Sequence, residues 1–339
     1  MVTPAPSSVP TLDEVARHAG VSRAVASRVI NDAPHVSPAK RAAVEAAVRE
    51  LGYVPNPTAR ALATRQVGSV VLAMPDEGPD LFAEPFFARV VRGVSEALAP
   101  TDLDLMLLAT SGHGRERVQR LVRHRRTDGL MLMAVHGDDP LLELAGTSDV
   151  PIVFGGRPLH TEPRWYVDVD NEAGARTAVE HLVATGHRRI GVITGPVDMQ
   201  VAQARRQGFV DAMRAAGLDP SWVQVGDFSE PSGTAATVRL LAAHPDVEAI
   251  FAASDNMAVG AIRALRAAGR SVPGDVSVVG YDDLQTARLS DPMLTTVHQP
   301  VAELGRQMAA MVLALLARQT PAPVLLAPHL VERDSVRRR

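Results

Sequence analysis

The chain has 339 residues, 46% of them hydrophobic and 22% charged, with a formal net charge of −3. That length suffices for two or three domains, and that balance excludes both a disordered chain and one that binds nucleic acid over its whole surface. The absence of cysteine excludes disulfides, thiolate catalysis and thiolate-held metal. Charge is unevenly spread. Residues 1–66 hold eight Arg or Lys and five Asp or Glu, whereas residues 67–339 hold 27 and 33. A basic head on an acidic body fits a small DNA-contacting module joined to a domain with another task. The first ten residues lack the basic start and apolar centre of a secretory signal, and no apolar run could span a bilayer. The expected location is the cytoplasm, with no membrane contact.

In chain order, residues 11–31, TLDEVARHAGVSRAVASRVIN, predict two short helices joined by a tight turn. Thr11 and Glu14 have capping-box spacing, Gly20 supplies the turn, and Ser22 can cap the second helix. Ala26, Val29 and Ile30 share one face of that helix. Arg23, Ala24, Ser27, Arg28 and Asn31 fall on others, as a helix entering a major groove requires. A third helix is expected after Ser37 and Pro38, with Val44, Ala47, Val48 and Leu51 as its apolar stripe and Gly52 at its end. Residues 57–65, PTARALATR, form a candidate hinge helix too short to be stable alone.

From residue 67, apolar strand-like runs alternate with helical stretches. Strands are expected at 67–74, 104–110, 128–135, 151–156, 165–170, 189–195, 249–254 and 276–282. Helices are expected at 86–99, 114–125, 139–145, 171–185, 201–216, 232–243 and 255–268. Such alternation implies parallel sheets covered on both faces. Two series suggest two similar lobes with a cleft between them. Ligands in open α/β sheets bind beyond the carboxyl ends of strands. Asp76, Arg157, Asp170, Ser254, Asp255, Asp282 and Asp283 cluster at such ends.

The residues T-L-D-E-V-A-R-H-A-G-V-S at 11–22, S-R-V-I-N at 27–31, V-S at 36–37, L-G-Y-V-P-N-P at 51–57 and A-R-A-L-A at 59–63 resemble the LacI–GalR family of bacterial transcription regulators. The likeness extends over nearly the whole chain. It implies an all-α helix-turn-helix head plus an α/β two-lobed periplasmic-binding-protein-like domain. The expected divisions are a DNA-binding domain at 1–56, a hinge helix at 57–66 and an effector-binding, dimer-forming domain at 67–339. Three crossings between lobes are implied. The first lobe would comprise about 67–163 and 296–320, and the second about 164–292 and 321–335.

On this reading Arg23 and Ala24 meet base edges, since arginine can grip guanine O6 and N7 and alanine can touch a thymine methyl. Arg28 reads a base or holds a phosphate. Ser22, Ser27 and Asn31 are expected on phosphates. The family's usual S-x-x-T-V-S-R becomes S-R-A-V-A-S-R, so Val25 offers no hydroxyl. The resemblance further implies that two hinge helices fold together in the minor groove, where Leu62 wedges between central base pairs and Ala61 packs beside it. The partners implied are a homodimer's second subunit and a pseudo-palindromic operator duplex, with binding weakened steeply by salt.

Four constellations match the family's effector cleft: Arg205 in R-R-Q-G-F, Asp282 in V-V-G-Y-D-D, Phe228 in G-D-F-S-E-P-S-G, and Phe86 with Phe87 in E-P-F-F-A-R. A carboxylate, an arginine and an aromatic face suit a sugar. Arg205 could equally be a surface ion pair, Asp282 a turn former, and Phe86 or Phe87 core. Asp255 is expected to cap a helix and is also a candidate for the cleft. Gly156 stands where several relatives carry Asp, followed by Arg157, a candidate for an effector carboxylate or phosphate. Ser254 stands where Asn is common. Histidine spacing suggests no metal, and no cofactor fingerprint, P-loop or nucleophile elbow is present. No enzymatic activity is expected. His187 is read as structural. The resulting function is a ligand-responsive transcription regulator, a repressor controlled allosterically by a sugar or related molecule. A solute-binding protein would need an export signal and no basic head, and a sugar-modifying enzyme would need a base or nucleophile.

Overall fold

The computed structural model describes residues 10–31, 34–54, 66–75, 85–137 and 139–338. It divides into two compact units, 1–67 and 68–339.

The first unit contains α1 (Leu12–His18), α2 (Arg23–Ile30) and α3 (Pro38–Leu51). The Thr11–Glu14 capping box forms in both directions. The Glu14 N–H donates to Thr11 Oγ1 at 3.3 Å, and the Thr11 N–H donates to Glu14 Oε2 at 2.7 Å. Gly20 adopts φ +63° in the turn, and Ser22 Oγ accepts from the Val25 N–H at 3.3 Å. Ser37 is the N-cap of α3 by backbone, but its hydroxyl makes no capping bond. The shared core is three valines and three alanines: Val15, Ala16, Ala26, Val29, Val44 and Ala47. So small a core makes each cap, worth about 1 kcal/mol, matter.

The described residues of the second unit form two six-stranded sheets. The first contains β1 (Ser69–Met74), β2 (Asp104–Ala109), β3 (Gly129–Met133), β4 (Ile152–Gly155), β5 (Tyr166–Val169) and, far along the chain, Val324–Leu326. Its helices are α4 (Pro85–Leu98), α5 (Gly114–Arg123) and the short α6 (Leu144–Thr147) after a 3-10 turn. The second sheet contains β6 (Ile190–Thr194), β7 (Val223–Val225), β8 (Ala249–Ala252), β9 (Ser277–Asp282), β10 (Thr295–His298) and His329–Val331. Its helices are α7 (Asn171–Ala184), α8 (Gln200–Ala215), α9 (Glu230–Ala243), α10 (Asp255–Ala267) and α11 (Gln285–Leu289). Then α12 (Val301–Leu316) returns to the first lobe, β11 (Val324–Leu326) joins the edge of the first sheet, and β12 (His329–Val331) the edge of the second.

The strand orders β2-β1-β3-β4-β5 and β7-β6-β8-β9-β10 are the same doubly wound arrangement used twice. All pairs are parallel except β10–β12. Central strands β1, β3, β6, β8 and β9 are buried at every residue, as helices on both faces require.

The chain passes between lobes three times, but at shifted positions. Expected boundaries put 164–169 and 321–326 in the second lobe and 296–298 in the first. Instead β5 and β11 pair in the first sheet, and β10 pairs with β9 in the second. The crossings fall after β5, after β10 and between β11 and β12. A strand's hydrogen-bond partner fixes its lobe, and its own residues carry no mark of that partner.

Candidate functional site

On the first unit, Arg23 stands at the start of α2 with a side chain 71% exposed, its Nε 3.5 Å from Asp13 Oδ1. Ala24 is exposed beside it, and Val25 is half-buried. The other predicted contacts have internal bonds. Ser22 caps α2, Arg28 Nη2 donates to the Pro34 carbonyl at 3.0 Å, and Asn31 Nδ2 donates to the Ser27 carbonyl at 2.8 Å. Arg23 with Ser27 and Ala24 with Arg28 are one helical turn apart, so all four side chains fall on adjoining faces. Ala61 and Leu62 lie outside the described residues.

In the second unit the carboxyl ends of both sheets carry the candidate cleft residues. Arg205, on α8, is buried. Its Nε donates to Asn171 Oδ1 at 2.9 Å, and its Nη1 donates to the Ala253 carbonyl and to Asp282 Oδ1, the latter at 3.4 Å. Its guanidinium lies 3.8 Å from the Tyr281 ring centre and 5.8 Å from that of Phe228. Asp282 ends β9 with φ +110°, and Gln299 Nε2 donates to its Oδ1. Phe228, at φ +70°, lays its ring over Gly195, where an added Cβ would stand 2.1 Å from a ring carbon.

Arg157 is tied to this group indirectly. Its Nε donates to the buried Asp168 at 2.9 Å, and Asn171 Nδ2 donates to the other Asp168 oxygen at 3.2 Å. One polar chain therefore runs Arg157–Asp168–Asn171–Arg205–Asp282–Gln299, beginning in the first lobe and passing two of the three crossings. Phe86 and Phe87 stand on the first turn of α4, half-buried against the first lobe's core, with rings edge-on at 5.4 Å. The same helix sends Arg89 Nη1 to the Asp283 carbonyl at 2.9 Å, and the Gly137 N–H donates to the Asp198 carbonyl at 2.9 Å. Both contacts join the two lobes.

Two expectations about Asp255 need correction. Ser254, not Asp255, is the N-cap of α10, its hydroxyl accepting from the Met257 N–H at 3.3 Å. Asp255 is 0% exposed. Its oxygens accept from Thr296 Oγ1 and, at 2.7 Å, from the Leu284 N–H, so it ties the β9–α11 turn to β10 rather than lining the cleft. Burial first, and the Asp282 carboxylate second, push its carboxyl well above the ordinary range. Sequence reading also missed Asp168, Asn171, Gln299 and Tyr281. A carboxylate inside the apolar strand at 166–169 was the available signal for Asp168.

Asp283 works for the fold. Burial opposes its charge, but bonds from Arg333, Arg288 and His298 hold its pKa at about 2, below the usual 3.8. A depressed pKa gives stability that is complete above 3.8 and lost as pH falls toward 2. Asp283→Asn should therefore lower stability at neutral pH and flatten its dependence below pH 3.8, measured by urea unfolding across that window. An unaltered acid slope would mean the three cations do not act on it. His187, read as structural, is fully buried. Its Nδ1 lies 3.0 Å from the Leu182 carbonyl, so its Nε2 accepts from Ser277 Oγ at 2.8 Å. This Ser–His pair sits at the strands' amino ends, away from the cleft. Among the described residues no group of His, Asp or Glu could hold a metal, and no helix is long and apolar enough to cross a membrane.

A helix-turn-helix unit joined in sequence to a two-lobed α/β body with a buried Arg–Asp pair defines a ligand-responsive transcription regulator. Residues 11–56 match the bacterial regulatory proteins of the lacI family, and residues 179–336 match the periplasmic binding protein-like domain. The chain is 46% identical to the HTH-type transcriptional regulator CelR of Thermobifida fusca, over 96% of this chain and 98% of that one. It is 35% identical to the ribose operon repressor of Escherichia coli (strain K12), over 96% and 99%. A solved CelR–cellobiose complex aligns at TM-score 0.77 with 44% identity, covering 96% of this chain and 99% of that one. The lac repressor dimer bound to operator and the anti-inducer ONPF aligns at TM-score 0.83 with 32% identity, covering 97% and 100%. The chain belongs to the lacI family of bacterial regulatory proteins.

Proposed function

We propose that this chain is a cytoplasmic, non-enzymatic repressor that binds a pseudo-palindromic operator as a homodimer and is switched by a sugar. Residues 1–56 read DNA, 57–66 form the hinge, and 67–339 hold the effector and the dimer contacts. Arg23 and Ala24 meet base edges, Ser22, Ser27 and Asn31 hold the backbone, and Arg28 reads a base or holds a phosphate. Ala61 and Leu62 enter the minor groove. Phe86, Phe87, Arg157, Arg205, Phe228 and Asp282 hold the effector.

The observation that carries the effector reading is the buried Arg205–Asp282 pair with the Phe228 ring 5.8 Å from the guanidinium. It offers a donor, an acceptor and an aromatic face to a hydroxyl-bearing ring. The polar chain through Asn171 and Gln299 gives the coupling a route, because both residues sit at crossings. A sugar that redirects the Asp282 or Arg205 bonds disturbs the points about which the lobes turn. Reciprocity requires that operator binding change sugar affinity by the same factor.

Cellobiose is the first effector to test, since the CelR structure contains it. The test combines operator selection from random duplexes with thermal shift on a sugar panel. Arg23→Ala should relax preference at one base position of each half-site by about 1–3 kcal/mol. Unchanged base preference would remove Arg23 from the reading surface, and no selected duplex at moderate salt would overturn the repressor reading.

A further inference from the structure

Residues 114–126, which cover α5 and the turn after it, hold six arginines and one glutamate. Without them residues 67–339 hold 21 Arg or Lys and 32 Asp or Glu, so this is a cationic strip on an anionic body. Val118 and Val122 anchor the helix in the first lobe's core. Arg117, Arg120, Arg123, His124 and Arg126 are all exposed. Arg115 pairs with Asp139 at 2.8 Å, and Arg125 pairs with Asp149. Among the described residues the guanidinium groups of Arg117, Arg120, Arg123 and Arg126 enter no ion pair.

Helix stability accounts for Arg120 and Arg123 in the last turn but not for the whole strip. Cations suit the last turn of a helix, but Arg115 and Arg117 stand in the first turn, where the dipole opposes them. The helix also closes with Arg125 at φ +50°, a left-handed position that favours glycine. There the Arg126 N–H donates to the Leu121 carbonyl at 2.8 Å and the Arg125 N–H donates to Val122 at 3.0 Å. Arg117, Arg120 and His124 follow i, i+3, i+7 spacing, one stripe spanning about 10 Å.

The strip ends where the chain enters the body. Asp128, two residues past Arg126, accepts from the Gly68 N–H at 2.6 Å and the Ser69 N–H at 3.1 Å. Thr127 Oγ1 donates to the Ser69 carbonyl at 3.0 Å. The first strand of the body, which begins at Ser69, therefore starts beside the carboxyl end of the strip.

We propose that the 117–126 strip is a second contact for duplex DNA, binding phosphates and adding affinity without base specificity. The test uses the full chain and an operator-free duplex across a salt series. The triple variant Arg117→Gln, Arg120→Gln, Arg123→Gln should bind about tenfold more weakly at low salt. Its log affinity–log salt slope should shrink by about 1–3, one step of about 0.9 per lost phosphate contact. Because the chain has no cysteine, Arg120→Cys carries a unique thiol for a photoactivatable crosslinker. It should capture duplex more efficiently than Val238→Cys, whose residue on α9 is 56% exposed. An unchanged slope with equal capture at both positions would overturn the proposal. So would loss of polyglutamate binding with duplex binding intact, which would assign the strip to an acidic polypeptide. Base preference, read by the Arg23→Ala selection, tests the DNA-reading helix separately.

Discussion

Arg205→Met should destabilise the body by about 3–5 kcal/mol, the range for breaking a buried ion pair by removing one partner. Methionine keeps the apolar stem and removes the charge. Asn171 Oδ1, the Ala253 carbonyl and Asp282 Oδ1 would each lose a donor. Asp282 would also be left, without Arg205, near the buried Asp255, whose carboxyl it already pushes upward. Trp165 and Trp222 both belong to the body, so tryptophan fluorescence in urea reports this loss. A second change, Asp282→Leu, should recover part of it, because the orphaned carboxylate is then gone. A loss under about 1 kcal/mol, the size of an exposed pair, would mean the ion pair is solvated. The same variant should lose any response to sugar.

Gly93→Ala and Gly146→Ala make one chemical change with opposite expected results. At Gly93, on α4, a Cβ would lie 1.9 Å from the Ala302 carbonyl oxygen of α12. Across the same contact a Cβ on Gly305 would lie 2.3 Å from the Val90 carbonyl oxygen. The two helices meet backbone to backbone, so neither side can yield by turning a side chain. Gly93→Ala should cost about 3 kcal/mol, the upper part of the overpacking range. At Gly146 nothing lies within 4 Å of the added atom. There alanine should be neutral or stabilising by up to about 1 kcal/mol. Thermal unfolding of both variants settles the matter, and equal effects would disprove the close contact. The consequence reaches function, because α12 begins two residues after Gln299, at the second crossing.

Much of this was legible in the residues. Thr11, Glu14, Gly20 and Ser22 act over one to three positions, so their caps and turn could be read locally. The valine-rich strands announced a sheet buried on both faces, because their burial is continuous. Arg205, Phe228 and Asp282 were found by motif, and the fold gathers them within one lobe. Asp255 misled, because an aspartate at a helix start looks like a cap and here serves a distant turn. Asp168 and Gln299 were passed over because their importance lies in partners 11 and 17 residues away.

The first unit's helices and most of the alternating body as far as β9 followed from local chemistry, because periodicity, caps and breakers act between neighbours along the chain; β7, α11, β10, α12, β11 and β12 were not among the expected elements. Sheet membership of β5, β10 and β11 and the polar chain from Arg157 to Gln299 were decided only in three dimensions. Hydrogen-bond pairing and desolvation depend on which distant segments meet, and no short run of residues encodes that meeting.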